Sequence, residues 1–378
     1  MHCWPSSGIA TSIRSLKLLS PRRFVRVDSC GLISSHSTAD GSKNVTRKRL
    51  FTCNAYSMPY ERPNEQMISM RKLLYHAIQA AERGGLEVRA VQETGNLEVR
   101  SKSSCFNPVT LGDMRSHVAM KGTLRQAFPY VCIVSEEDNH CLDSVAVDLD
   151  QDPQDPPSTF LRSVPEDQMV SAQDITVWID PLDGTQEYME GHYEYVTTMV
   201  GIAIGGVPVA GVIHQPFPEH SAASTSTYWA WKNHGVCPLL QSLQISPQDP
   251  PKNSNHVWRL AVSRNPVRAG AARRFSKAAF GSGNCELVPI GGAGYKFIQM
   301  FRNNVNGYLH LTKNIKKWDT CAGHGITNAL GGQLTGLGGQ EIDYAEPENK
   351  NQMAVGSGFV GAIHNHSALL SSCRRVAL

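Results

Sequence analysis

The ten cysteines, at positions 3, 30, 53, 105, 132, 141, 237, 285, 321 and 373, form no C-x-x-C pair and follow no regular spacing. That excludes a zinc site built on cysteine pairs and offers no disulfide framework, leaving scattered structural thiols. Long hydrophobic runs are also missing, for none approaches the ~18 residues needed to cross a bilayer. A convincing secretory signal is not expected either: the apolar stretch Leu16 to Leu19 is too short for an apolar h-region and is interrupted by Lys17. The excess charge is only +3, so nothing global calls for a nucleic-acid polymer or a membrane surface as partner. Strands and helices alternate along the chain without a repeat period.

What is present is length and local pattern. With 378 residues the chain can bury a large core, as one big domain or two intimate halves. Residues 1–66 stand apart. Their first fifty carry Arg14, Lys17, Arg22, Arg23, Arg26, Lys43, Arg47, Lys48 and Arg49 against only Asp28 and Asp40. Such a basic, serine-rich segment is as compatible with a transit peptide as with disorder. The globular part divides into an α+β half, 67–220, and an α/β half, 221–378, with a polar stretch Ser246 to Asn255 before the second set of strands.

Met70, Leu74, Ala77, Ile78, Ala81, Val88 and Val91 recur at helical spacing and predict an amphipathic helix, loosened at Gly84-Gly85. A second helix is expected over Met114 to Ala127, with Asp113 at its N-cap. A strand, Tyr130 to Val134, then ends in Glu136-Glu137. Residues 138–174, rich in Asp, Pro and Gln, read as an insertion loop. Tyr195 to Ala203 and Val207 to Ile213 read as a hairpin turning at Gly205-Gly206. Further on, Arg259 to Ser263 is a strand, Ala269 to Ala279 a helix and Gly307 to Leu311 a strand. Gly291 to Lys296 precedes a helix with Phe297, Met300 and Phe301, and Thr320 to Leu330 is a last helix closed by Gly331-Gly332. The class is α/β or α+β with layered sheets and helices.

The chemistry centres on Trp178-Ile179-Asp180-Pro181-Leu182-Asp183-Gly184-Thr185. A buried strand over Ile175 to Trp178 is expected to stop at the proline, and a helix to begin after Gly184-Thr185. Two carboxylates facing the free N–H groups of a helix start suit a cation and an anion side by side. Taken alone, Asp183 could equally be a helix cap. Asp113, Glu136 and Asp319 stand at similar strand ends or helix starts. Five hard oxygen ligands with no dedicated Cys or His favour magnesium, in more than one ion, around a phosphate.

These residues carry a resemblance. Glu136-Glu137, the W-I-D-P-L-D-G-T run from Trp178 to Thr185, and Trp318-Asp319-Thr320-Cys321-Ala322 resemble the signature of the inositol monophosphatase superfamily, from about Met67 to Ile363. Within it the chain looks most like the 3'(2'),5'-bisphosphate nucleotidase branch and its Golgi-resident members. The similar segments include Thr185 to Tyr188, Tyr195 to Val200, Gly211 to His214, Gly292 to Lys296 and Ile315 to Asp319. The resemblance implies an α-β-α-β-α sandwich and a lithium-sensitive phosphatase using two to three Mg²⁺ ions. Its metal ligands would be Glu136, Asp180, Asp183, Asp319 and the Leu182 carbonyl. Asp113 and Thr185 would be the catalytic pair that orients and deprotonates the attacking water. Gly184 and Thr185 would hold phosphate, while Ser263, Gly292 and Lys296 would meet the nucleotide.

The implied reaction removes the 3'-phosphate of 3'-phosphoadenosine 5'-phosphate by in-line attack of water, giving AMP and phosphate with no covalent intermediate. An inositol phosphate phosphatase is the alternative, and a silent nucleotide-binding protein lies outside the enzyme class. One departure stands out: the branch usually reads S-R-S-H after the strand, whereas this chain reads Ser263-Arg264-Asn265-Pro266. Proline has no side-chain donor, so one nucleotide contact is lost or supplied elsewhere. The expected partner is therefore a small molecule, a homodimer stays open, and so does the compartment. The resemblance points to the Golgi lumen, yet no anchor helix is visible, which leaves cytoplasmic and organellar forms in play.

Overall fold

The structure, a computed structural model, describes residues 66–101, 108–138, 147, 154–218, 226–243, 257–313 and 315–377. The basic segment 1–65, most of 138–153 and the polar stretch Ser246 to Asn255 lie outside the described residues. In chain order the first elements are β1 (Met67–Ser69), α1 (Met70–Thr94), β2 (Arg100–Ser101), β3 (Pro108–Val109), α2 (Leu111–Ala127) and β4 (Cys132–Ser135). Next come α3 (Ser158–Ser163), β5 (Met169–Ser171), β6 (Ile175–Asp183), α4 (Thr185–Met189), β7 (Thr197–Ile204) and β8 (Val207–His214). β9 (Thr227–Trp231), β10 (Gly235–Val236), α5 (Pro238–Ser242), β11 (Trp258–Ser263), α6 (Pro266–Phe280) and β12 (Cys285–Ile290) follow. The chain closes with α7 (Ala293–Phe301), β13 (Gly307–His310), α8 (Cys321–Ala329), β14 (Gln333–Gly336), β15 (Phe359–Ala362) and α9 (His366–Ala377).

A six-stranded sheet runs β10-β9-β8-β7-β6-β4 and a five-stranded sheet runs β12-β11-β13-β15-β14. Helices α1 and α2 pack together and onto the first sheet, α7 and α8 touch strands of both sheets, and α6 and α9 pack together on the second. The result is the five-layer α-β-α-β-α sandwich expected for this class. β9 and β10 lie beyond residue 220 but belong to the first sheet, so the change of sheet falls between Ser242 and Trp258.

Several local expectations differ from the structure, each for a stated reason. The helix α1, capped by Ser69 and closed by Gly95 at φ 68°, is not loosened at Gly84-Gly85. These glycines instead admit close neighbours. A Cβ on Gly84 would lie 2.6 Å from Ser116 and Met120 of α2, and one on Gly85 2.4 Å from the His214 ring. Pro181 does not stop the strand either. β6 continues to Asp183 with a register shift between Asp180 and Asp183, a bulge that places the missing proline N–H where no ladder bond is needed. Residues 138–174 are not all loop: α3 and β5 lie there, and β5 pairs with β1 about a hundred residues away in sequence.

Candidate active site

The site grows from strand ends. β4 and β6 run parallel, with Ser135 opposite Ile179, so their next residues, Glu136 just past the end of β4 and Asp180 within β6, stand side by side. The Glu136 N–H donates to the Ile179 carbonyl at 3.1 Å and fixes that adjacency. Behind it His117 Nδ1 lies 2.8 Å from Ser135 Oγ, and Asp138 accepts the Ser135 N–H at 2.9 Å while pairing with Lys121. All nine residues of β6 are buried, and the Ser116 hydroxyl donates to the Pro181 carbonyl at 2.6 Å, holding the bulge against α2.

Asp319 reaches the same place from the other half. It precedes α8, and its Oδ2 accepts the Lys316 N–H at 2.7 Å. α8 lies almost backbone-to-backbone on β7 and β8. A Cβ on Gly201 would sit 2.5 Å from the Cys321 side chain, one on Gly211 2.0 Å from the Ala322 carbonyl, and one on Gly325 2.4 Å from the Ala210 carbonyl. Only residues without a Cβ permit this approach. Above it, the Tyr344 hydroxyl donates to Thr320 at 3.0 Å, and the Trp178 indole donates to the Tyr344 carbonyl at 2.8 Å.

The carboxylates of Glu136, Asp180 and Asp319 thus converge, each offering an oxygen within 4.8 Å of the others. Burial pushes Asp319 up to about 8, and the neighbouring charges of Glu136 and Asp183 push the same way. Three acids confined together at such electrostatic cost, all hard oxygen donors, fit a divalent cation such as magnesium. Ligation would neutralise the charge gathered in this trio.

The remaining expected residues fall into two groups. Asp113 is not the N-cap of α2. Thr110 is, and Asp113 is the third residue of a capping box, its Oδ2 accepting the Thr110 N–H at 2.7 Å and the Thr110 hydroxyl at 2.6 Å. Its other oxygen, Oδ1, lies 3.0 Å from the Thr185 hydroxyl, which is also 3.2 Å from the Leu182 carbonyl. Asp113, Thr185 and Leu182 therefore form one connected unit, and the pattern Thr110-x-x-Asp113 is the sequence signal that identifies its cap.

Asp183 turns instead toward the second half. Its Oδ1 accepts the Ala293 N–H at 2.8 Å, and its Oδ2 accepts the Gly294 N–H at 2.7 Å and the Thr197 hydroxyl at 3.1 Å. It stands outside the converging trio yet close enough for its charge to act on Asp319. Burial raises its proton affinity, and the α7 amides and Lys296 oppose that rise. Gly292, at φ 56°, is required there, since a Cβ would lie 2.4 Å from the Tyr195 carbonyl. Gly184, at φ 86°, starts the single turn of α4. The Lys296 ammonium donates to the Gly292 carbonyl, and burial pulls it down to about 8, against the attraction of Asp183 and Glu187. Ser263 ends β11, and its hydroxyl accepts the Asn265 N–H at 3.3 Å.

Carboxylates converging between two sheets, one buried and two half-buried, a threonine–aspartate pair beside them and a buried lysine at a helix start make an arrangement able to hold a cation beside an anion. Solved structures share the fold. An inositol monophosphatase from Thermotoga maritima matches over 80% of this chain and 97% of its own, with a TM-score of 0.55 and 18% identity. The inositol monophosphatase from Anabaena matches over 81% and 97%, with a TM-score of 0.53 and 18% identity. The family model described as "Inositol monophosphatase family" matches residues 69–372, and the chain belongs to that family. It is a phosphatase of that family. It is 43% identical over 293 residues to the putative inositol monophosphatase 3 of Drosophila melanogaster, covering 76% of this chain and 77% of that one. It is 36% identical over 314 residues to the Golgi-resident adenosine 3',5'-bisphosphate 3'-phosphatase of Mus musculus, covering 80% and 81%. Among the described residues no helix is long and apolar enough to cross a membrane.

Proposed function

We propose that the chain is a magnesium-dependent, lithium-sensitive phosphatase that converts 3'-phosphoadenosine 5'-phosphate to AMP and inorganic phosphate. The observation that carries the substrate is Lys296. It is a buried ammonium at the start of α7, with a backbone carbonyl as its hydrogen-bond partner and, among the described residues, no ion pair. A buried cation of this kind needs an anion, and a second phosphate supplies one. Likeness to the mouse bisphosphate phosphatase supports the same reading. The name of the Drosophila relative favours an inositol phosphate instead, but a polyol monophosphate held at the acidic trio offers no second phosphate to the Lys296 ammonium.

Glu136, Asp180 and Asp319, with Asp183 and the Leu182 carbonyl, would hold the two to three ions. Magnesium there would polarise the phosphoryl group and acidify a water. Thr185 and Asp113 then move the proton: the attacking water gives it to Thr185 Oγ1 as the threonine hydroxyl passes its own to Asp113 Oδ1. The capping box holds that carboxylate in one orientation by its other oxygen, which keeps the acceptor within hydrogen-bond reach. Gly184 and Thr185 present backbone N–H groups to the phosphate, and Ser263, Gly292 and Lys296 meet the nucleotide end.

Alanine at Asp180 or Asp319 is expected to abolish phosphate release, and near-normal turnover would sink the mechanism. Phosphate release from 3'-phosphoadenosine 5'-phosphate compared with inositol 1,4-bisphosphate, with magnesium and with or without lithium, tests the rest. Preference for the inositol compound overturns the substrate, and indifference to lithium overturns the sensitivity.

A further inference from the structure

The second sheet's parallel strands β12, β11 and β13 end on one edge, with Ser263 opposite Ile290. Helices α6 and α7 both begin there, the second at Gly292 beside Lys296. Ligands in open α/β sheets bind outside such carboxyl ends. Asn265 caps α6, accepting the Val267 N–H at 3.1 Å and the Arg268 N–H at 3.3 Å, and Pro266 takes the first helical position. The proline that replaces the expected histidine thus starts the helix and sets Arg268 on its first turn.

Two arginines stand at this edge, and they differ. The guanidinium of Arg264 is neutralised by Glu187, at 3.2 Å, and by Glu190, and it lies over the Tyr195 ring. The guanidinium of Arg268, exposed on α6, makes no hydrogen bond or ion pair among the described residues. Arg268 stands on the first turn of α6, three residues past the Asn265 cap, at the strand edge where Ser263 lies opposite Ile290 and α7 begins with Gly292 and Lys296. Lys296 itself lies 5.6 Å over the Tyr308 ring, at the end of that same sheet. Two cations at one strand edge repel each other until an anion joins them.

We propose that Arg268 is a specificity-determining residue that, together with Lys296, receives the second phosphate of the substrate. The inference rests on the bisphosphate reading above and adds the donor that Pro266 cannot supply. Guanidinium geometry suits it, since two parallel N–H donors match two phosphate oxygens.

The test uses the full chain and two substrates, adenosine 3',5'-bisphosphate and adenosine 3'-monophosphate, which lacks the second phosphate. The parent is expected to favour the bisphosphate in kcat/KM. Arg268→Gln should raise KM for the bisphosphate about ten- to hundredfold, as for a lost charge-assisted hydrogen bond. Its kcat, its KM for the monophosphate and its melting temperature should stay near those of the parent, and Arg268→Lys should recover part of the loss. A parent that prefers the bisphosphate while Arg268→Gln keeps that preference overturns the role of Arg268 alone. A parent with no preference overturns the bisphosphate reading and this inference with it.

Discussion

Replacing Gly211 with alanine tests how the acidic site is assembled. The added Cβ would sit 2.0 Å from the Ala322 carbonyl oxygen, about 1.4 Å short of the 3.4 Å at which ordinary contact begins. Both partners are backbone, one in β8 and one in α8, so no flexible side chain can absorb the overlap. α8 must therefore move by about an ångström, at a cost near the upper end of the ~1–3 kcal/mol typical of overpacking. That corresponds to a drop in melting temperature of roughly 5–10 °C. Asp319 lies three residues before Ala322, so the same shift draws its carboxylate away from Glu136 and Asp180. An ångström of misplacement can lower turnover about a hundredfold. A thermal melt, with phosphate release measured across a magnesium series, reads both effects. Gly270→Ala is the control, because its Cβ would meet only an arginine tip at 3.8 Å and a helical alanine should stabilise by ~1 kcal/mol. Parent-like melting and turnover in Gly211→Ala would refute the packing argument. Lower melting with unchanged turnover would refute the coupling to Asp319.

Thr110→Val removes the hydroxyl of the capping box and should destabilise by ~1 kcal/mol in urea unfolding. It should also lower turnover roughly tenfold, a fraction of what a general base contributes, with Thr110→Ser restoring both. His324 predicts an acid response. Burial drives it down to about 3, so the folded protein keeps it neutral where the unfolded chain is protonated. With the folded value depressed, its contribution is present above pH 6.5 and is lost as the pH falls below 6.5 toward 3. By pH 5 the loss is about 2 kcal/mol. Urea midpoints at pH 7 and pH 5 should therefore fall further for the parent than for His324→Asn, and equal slopes would contradict the burial effect.

Some of the site was legible because it is local. The run from Trp178 to Thr185 carries its strand, its acids and its helix start within eight residues, and alternation or spacing suffices to read such features. Thr110-x-x-Asp113 is equally local: the threonine three residues earlier is the cap, and Asp113 closes its capping box. Other features had no local signal. Gly84-Gly85 looks like a weak point of a helix until α2 and His214 are seen against it. Pro181 looks like a strand end until β7 shows the register shift that accommodates it. The short strands β5, β14 and β15 have only three or four residues each, and their stability comes from partners distant in sequence.

By itself, then, the chain's order of residues determined which acids stand at strand ends, which glycines open helices, and that the elements belong to a layered α/β protein. Periodicity and capping act within a few residues and need no knowledge of the rest. Only the tertiary structure decided that Glu136, Asp180 and Asp319 share one small volume, that Asp183 rests on the start of α7, and that Arg268 rather than Arg264 is left free to meet an anion. Those outcomes depend on parallel pairing of β4 with β6, on α8 lying against glycines of β7 and β8, and on ion pairs across the two halves. Each is a contact between segments far apart in sequence, set by packing of the whole molecule.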